Sequence, residues 1–319
     1  MTSFAREIAG PLSALALVAL LVGSVTDNFL DPGNISNLVL QVSIVAIIAI
    51  GSTVVILAGG IDLSPGSAIA LMTMVFATLI KFHGWPLVPA ILAVVLLGLV
   101  LGMINGALTA YLRIPSFITT LAALSAFRGV AFMFNNGSPI FQLSPTLERL
   151  FYESVFGIPL PLFYVIACYA AAYWFLTYTA PGRAIYAVGG NANAARLSGI
   201  SYGQTQLIAF AIAGVTAALG AILMAARLNS GSPNYGVGLE LAAIAAAVIG
   251  GASLAGGRGN VVNTVIGATT IVVVQNGLNL NAVPTSAQNV VIGVIIVVAV
   301  GIDMWRKELL GLFARKKRQ

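Results

Sequence analysis

Ten apolar stretches, each near the length that carries an α-helix across a bilayer, divide this chain from end to end, and each stops at Gly, Pro, Asn or charge. They run approximately 8–26, 36–58, 65–82, 87–110, 115–134, 159–178, 204–226, 239–256, 261–279 and 287–304. In hydrocarbon every backbone amide needs a partner, so lipid-facing irregular chain is excluded and any broken helix must line protein or water. Composition agrees with the pattern. Charged residues are 8% of the 319, where a water-soluble protein carries about 25%. Apolar residues are 59% and mean hydropathy is +1.00, enough for about nine or ten crossings of ~20 residues each. The expected fold is an all-α polytopic membrane protein: one transmembrane domain over 1–319, with about ten helices, some of them broken, and an inverted internal repeat.

The same residues exclude several chemistries. One cysteine, Cys168, cannot close an internal disulfide or build a cysteine-rich zinc site. One histidine, His83, rules out a two-histidine metal site, and it stands in KFHGWP, a turn beside Trp85. A Walker A loop needs Gly-Lys before Ser or Thr. The only lysines are Lys81, Lys307, Lys316 and Lys317, and none follows glycine. No catalytic site, metal or cofactor is therefore expected on this chain, and any ATP hydrolysis belongs to another polypeptide. An intramembrane protease is disfavoured for want of paired Asp, Ser-His or metal ligands at depth.

The net charge of +6 is a matter of topology rather than nucleic-acid binding. With the N-terminus inside, the cytoplasmic side holds Arg6, Arg113, Arg183, Arg196, Arg258, Arg306, Lys307 and the tail residues Arg315, Lys316, Lys317 and Arg318, eleven of fifteen basic residues. Lys81, Arg149 and Arg227 fall outside, and Arg128 falls within the fifth crossing. An even number of crossings places both termini in the cytoplasm. The first apolar stretch also has the form of a signal peptide, with Val22, Gly23 and Ser24 imitating a cleavage site, but its length and the even count favour a retained helix.

Two soluble segments exceed a tight turn. The outer one, about 135–159, carries Ser144-Pro145, the N-cap and N1 pair of a short helix. The inner one, about 179–203, and a basic tail, 305–319, face the cytoplasm. Polar residues interrupt the apolar pattern at a few places. In AGGIDLSPGS the glycines leave helical geometry cheaply, Pro65 suits a first turn, Ser64 is a good N-cap, and Asp62 is an ionisable group near membrane depth. Asp62 also suits capping of the next helix, and that structural role is the stronger reading. From Tyr235 to Asn260 a glycine-rich stretch opens near Glu240 and ends in Gly250, Gly251, Gly256, Gly257 and Gly259. Asn105-Gly106 lies in the fourth crossing, and Asn276-Gly277 with Asn279 in the ninth; amides there pair neighbouring helices or offer donors and acceptors to a sugar. Five crossings separate the two Asn-Gly pairs, the odd offset of an inverted repeat.

In PGRAIYAVGGNANAARLSGI, Gly189 and Gly190 read as a chain break, Asn191 as a cap, Ala192 to Ser198 as helix and Gly199 as a stop. Such a helix exposes Ala194, Ala195 and Leu197, too small a face to hold it alone, so a partner groove is expected rather than lipid.

AGGIDLSPGSAIA, RIPSFITTLAALSAFRG, GRAIYAVGGNANAARLSGI and ELAAIAAAVIGGASLAGGRGN resemble, in order and spacing from about Asn28 to Asp303, the signature segments of permease subunits of bacterial ABC importers for monosaccharides of the ribose and xylose class. The resemblance implies two permease copies or paralogues in the bacterial inner membrane, two cytoplasmic ATPase subunits that carry the ATP and magnesium, and a soluble sugar-binding protein outside. It implies a coupling helix for the ATPase over Gly189, Gly190, Asn191, Asn193, Ala194, Ala195, Arg196, Leu197, Ser198 and Gly199. Many relatives place Glu or Lys where Asn193 stands, so no salt bridge is expected there. A neutral sugar would pass by alternating access along exchangeable hydrogen bonds, with Asp62, Ser64, Asn105, Asn276 and Asn279 as candidates. The alternative is a self-sufficient, ion-coupled sugar transporter or channel, for which Asp62 is the one credible buried carboxylate.

Overall fold

The computed structural model describes the backbone of residues 3–316 and the side chains of 8–301. The basic tail, Arg6 and Asp303 therefore lie outside the residues whose side chains are described. Helices run α1 (Ser3–Val25), α2 (Pro32–Leu57), α3 (Pro65–Lys81), α4 (Leu87–Ala110) and α5 (Ser116–Met133). A polar interlude follows: a 3₁₀ turn (Phe134–Gly137), β1 (Ile140–Phe141), α6 (Pro145–Tyr152), β2 (Ser154–Val155) and β3 (Ile158–Pro159). Then come α7 (Leu160–Tyr178), α8 (Ala180–Gly190), α9 (Ala192–Leu197), α10 (Tyr202–Leu228), β4 (Ser230–Gly231), α11 (Leu239–Ile249), α12 (Val261–Leu280) and α13 (Thr285–Lys316). Among the described residues, seven helices are long and apolar enough to cross a membrane. The shorter apolar helices α3, α11 and Thr285–Gly301 of α13 occupy the other three expected crossings.

The eighth expected crossing, 239–256, needs correction. Its helix stops at Ile249, and 250–260 is irregular. The cause is local, because Gly251, Gly256, Gly257 and Gly259 all take positive φ, which no continuing helix contains.

Helix α2 is the centre of the bundle, buried from Ser43 to Leu57 along its whole circumference. Small residues let its neighbours come close. Gly98 and Gly102 of α4 face Gly214 and the Phe210 backbone of α10, where any Cβ would collide with main chain. The packing is reciprocal. Helix α4 lies along α10 as α12 lies along α2; α3 packs on α4, α5 and α10, and α11 on α12, α13 and α2. Exchanging α2 with α10, α3 with α11, α4 with α12 and α5 with α13 preserves these contacts. That five-span offset is the one marked by the two Asn-Gly pairs.

One end of the bundle is closed by the interlude. Strand β1 pairs antiparallel with β4, Ile140 opposite Gly231. Asn229 Oδ1 accepts from the Leu143 and Ser144 amides at 3.0 Å each, while Asn229 Nδ2 donates to Glu148 Oε1 at 2.9 Å. Ser144 caps α6 as its sequence suggests, accepting from the Thr146 amide at 3.2 Å. The opposite end gathers the segments 58–64, 111–115, 179–201 and 250–260.

Candidate functional site

The helix break between α2 and α3 is the polar heart of that second end. Beyond the α2 C-cap, Ala58, the chain leaves helical geometry at Gly59, whose φ is +81°. The stripped backbone groups of the break find partners on other helices. The Ala58 carbonyl accepts from Gln206 Nε2 at 2.9 Å, the Ile61 amide donates to Ser116 Oγ at 3.0 Å, and the Ile61 carbonyl accepts from Thr120 Oγ1 at 3.2 Å. Irregular chain is thus buried in protein, as the bilayer demands. Ser116, Thr120 and Gln206 were not singled out by local sequence reasoning. Their one visible signal is polarity near the start of an apolar helix.

Asp62 and Ser64 are 5% and 3% exposed. Asp62 Oδ1 accepts from the Ser64 amide at 2.8 Å and from Ser64 Oγ at 2.6 Å, and Ser64 Oγ accepts from Asn105 Nδ2 at 3.0 Å. Ser64 occupies the N-cap position of α3 but makes no side-chain cap bond, because its hydroxyl is committed to Asp62. The expectation of Ser64 as a cap is corrected accordingly. Asp62, Ser64 and Asn105 line the polar side of a cavity of ≈ 10 Å³, with Met72, Phe127 and Ala217 on its apolar side. That is about the space of one water. Asn105 Oδ1 is buried and meets no hydrogen-bond partner among the described residues.

The other two polar candidates stand elsewhere. Asn276 of α12 forms a reciprocal amide pair with Asn34 of α2, at 3.0 and 2.8 Å. Asn279 is exposed and accepts from Gln288 Nε2 at 2.8 Å. So Asp62, Ser64 and Asn105 come together, while Asn276 and Asn279 do not join them.

Helices α8 and α9 make up the segment expected on the inner side. Thr179 opens α8 by accepting from the Gly182 amide at 3.1 Å. Gly189 and Gly190 are the last residues of α8, and the break falls at Asn191, with φ −161° and ψ 99°. This corrects the expected break at the glycines. Gly189 is instead needed for packing: a Cβ there would run into the Leu57 carbonyl and the Gly257 amide. The Gly257 amide itself donates to the Leu57 carbonyl at 3.0 Å, and Tyr186 OH donates to the Gly259 carbonyl at 3.2 Å. Gly59, Gly189, Gly256 and Gly257 thus meet backbone to backbone, joining α8, the end of α2 and the glycine loop in one junction.

Asn191 caps α9 by accepting from the Ala194 amide at 3.0 Å. The helix closes through the Ile200 amide on the Ala195 carbonyl, with Gly199 at φ +82°. Leu197 is 90% exposed, and Asn193, Ala194, Arg196 and Ser198 are exposed beside it. Ala195 is 5% exposed and packs inward, so the expected exposed face loses that residue. Gly190 has open space where a side chain would stand. Among the described residues no group of three His, Cys, Asp or Glu side chains is placed to hold a metal.

Fold and site together define an all-α polytopic membrane protein with a packed helix break joined to the helical pair α8–α9. The chain belongs to the family described as branched-chain amino acid transport system / permease component, whose model matches residues 34–300. It is 40% identical to the ribose import permease protein RbsC of Escherichia coli (strain K12) over 296 residues, 92% of each chain. The ribose import permease protein RbsC of Bacillus subtilis (strain 168) is also 40% identical, with 92% of each chain covered. The xylose transport system permease protein XylH of Haemophilus influenzae is 37% identical, over 93% of this chain and 96% of its own. No solved structure matches.

Proposed function

We propose that this chain is the membrane subunit of an ATP-driven importer that carries a monosaccharide, of the ribose, xylose or allose kind, into the cytoplasm by alternating access. The names of its relatives support the sugar. One structural observation supports the drive: the path from the exposed Leu197 to the buried Asp62 is continuous. Helix α9 is capped onto α8, α8 is docked through Gly189 on Leu57, and Leu57 opens directly into the break that holds Asp62, Ser64 and Asn105. A pull on α9 therefore reaches a polar, cavity-bearing helix break without passing through a flexible linker.

In this reading an ATPase subunit, which holds the ATP and magnesium, grips Gly190, Asn191, Asn193, Ala194, Arg196, Leu197, Ser198 and Gly199, while Gly189 and Ala195 hold the grip to the bundle. A second permease copy or paralogue completes the membrane unit, and an outside binding protein delivers sugar to the end closed by α6. The protein lies in the bacterial inner membrane with both termini in the cytoplasm. Asp62, Ser64 and Asn105 brace the moving break, with Asn105 Oδ1 free to take a hydroxyl donor as the break opens; Asn276 stabilises the α2–α12 contact and Asn279 joins α12 to Gln288 of α13. The test is uptake of labelled ribose, xylose and allose by proteoliposomes holding the chain with and without its ATPase. ATP-dependent uptake supports the reading; uptake by the chain alone, following an ion gradient, overturns it.

A further inference from the structure

Arg128 is placed inside a crossing, and the transport path above does not use it. A guanidinium at membrane depth is costly unless protein groups receive it. Here Arg128 of α5 donates through Nη1 to the carbonyls of Pro233 and Tyr235, at 2.5 and 2.7 Å. Both carbonyls belong to the 229–238 connection between α10 and α11.

That connection runs back into the bundle. Gly231 packs against Thr73 and Ala77 of α3, while Gly236 packs against Gly66 of the same helix. At 1.5 Å per residue, the seven to eleven positions from Thr73 and Ala77 to Gly66 amount to a descent of roughly 10–16 Å, about a third to a half of the hydrocarbon thickness. Helix α11 then starts deep and runs 11 residues before the glycine-rich stretch ends it. Its Glu240 reaches Gly66, where a Cβ would collide with Glu240 Oε2, and this buried oxygen has no hydrogen-bond partner among the described residues. Two interrupted helices, α3 and α11, therefore meet start to start. Arg128 is the side chain that ties the descending segment to a third helix.

We propose that Arg128 is a positioning residue that clamps the descending segment 232–238 to α5, so that α5 and α11 move together when the break opens. The two N–H groups of the single nitrogen Nη1 hold carbonyls two residues apart, and the positive charge strengthens both bonds and fixes the path of the segment between them. The inference rests on the transport reading for its functional consequence, but the clamp itself is tested without transport.

The experiment uses the assembled complex in proteoliposomes, in a Cys168→Ser background with a nitroxide on Val237→Cys, a position 72% exposed. Arg128→Met should increase nitroxide mobility at 237 and lower sugar taken up per ATP hydrolysed by about tenfold, the scale of losing charged hydrogen bonds. ATP hydrolysis and melting temperature should stay near the parent values, and Arg128→Lys should recover most of the ratio. Should Arg128→Met fail to assemble, Arg128→Ala is read in the same way. Unchanged mobility at 237 overturns the clamp. A proportional fall of uptake, hydrolysis and melting temperature overturns the coupling role and leaves Arg128 as mere support. If the parent complex takes up no sugar, the transport reading fails while the nitroxide still decides the clamp.

Discussion

Two adjacent glycines separate packing from partner contact. Gly189 faces Leu57 and Gly257 main chain, whereas Gly190 faces open space. Gly189→Ala should destabilise the protein by about 1–3 kcal/mol, the usual cost of overpacking, while Gly190→Ala should leave melting in detergent within error of the parent. Equal melting of the two variants would contradict the junction described here. The Asn34–Asn276 amide pair gives a second residue-scale expectation. A double-mutant cycle to alanine should return a coupling of about 0.6 kcal/mol, typical of such bonds between membrane helices. No coupling would mean that the two amides do not rely on each other. Local chemistry made Asn191 and Gly199 readable before the fold, because a cap and a left-handed stop depend only on near neighbours. Gly189, Ala195 and Gln206 were not readable in the same way. Their roles are set by main chain over a hundred residues distant in two cases, Leu57 for Gly189 and Ala58 for Gln206.

The same division holds for whole elements. Crossing lengths follow from apolar runs, so most helix ends fall within a few residues of the expected ones. The descent of 229–238 does not, because it depends on contacts with α3 rather than on its own pattern, and α11 stops short of its expected end because Gly251, Gly256, Gly257 and Gly259 take positive φ. Helix α9 carries the element-scale prediction. It is too short to be stable alone, yet it is capped at both ends and leaves Leu197 90% exposed. Gly190→Trp and Leu197→Asp project away from the bundle, so both should keep the parent melting temperature in detergent. In assembled proteoliposomes they should lower ATP-dependent uptake by about tenfold or more, as removal of a buried apolar anchor does at an interface. Unaltered uptake in both would remove α9 from the coupling route.

At the scale of the whole molecule, reciprocal packing of the two halves puts an interrupted helix in each, and the two interruptions meet at Gly66 and Gly236. Such a molecule can change shape where its helices are broken while its continuous helices, α2, α4, α10 and α12, stay packed. Nothing among the described residues gathers the ligands of a metal, and the lysine pattern lacks a Walker A loop. In the proposed reading, force enters from a partner subunit through the pair α8–α9, where Leu197 is exposed. The most direct measurement is purification of the chain from its native membrane in mild detergent, with identification of what accompanies it, alongside the Leu197→Asp variant. The account predicts a nucleotide-hydrolysing subunit with the parent chain and its loss or marked depletion with the variant. Recovery of the same companion from both, or of none from the parent, would contradict it.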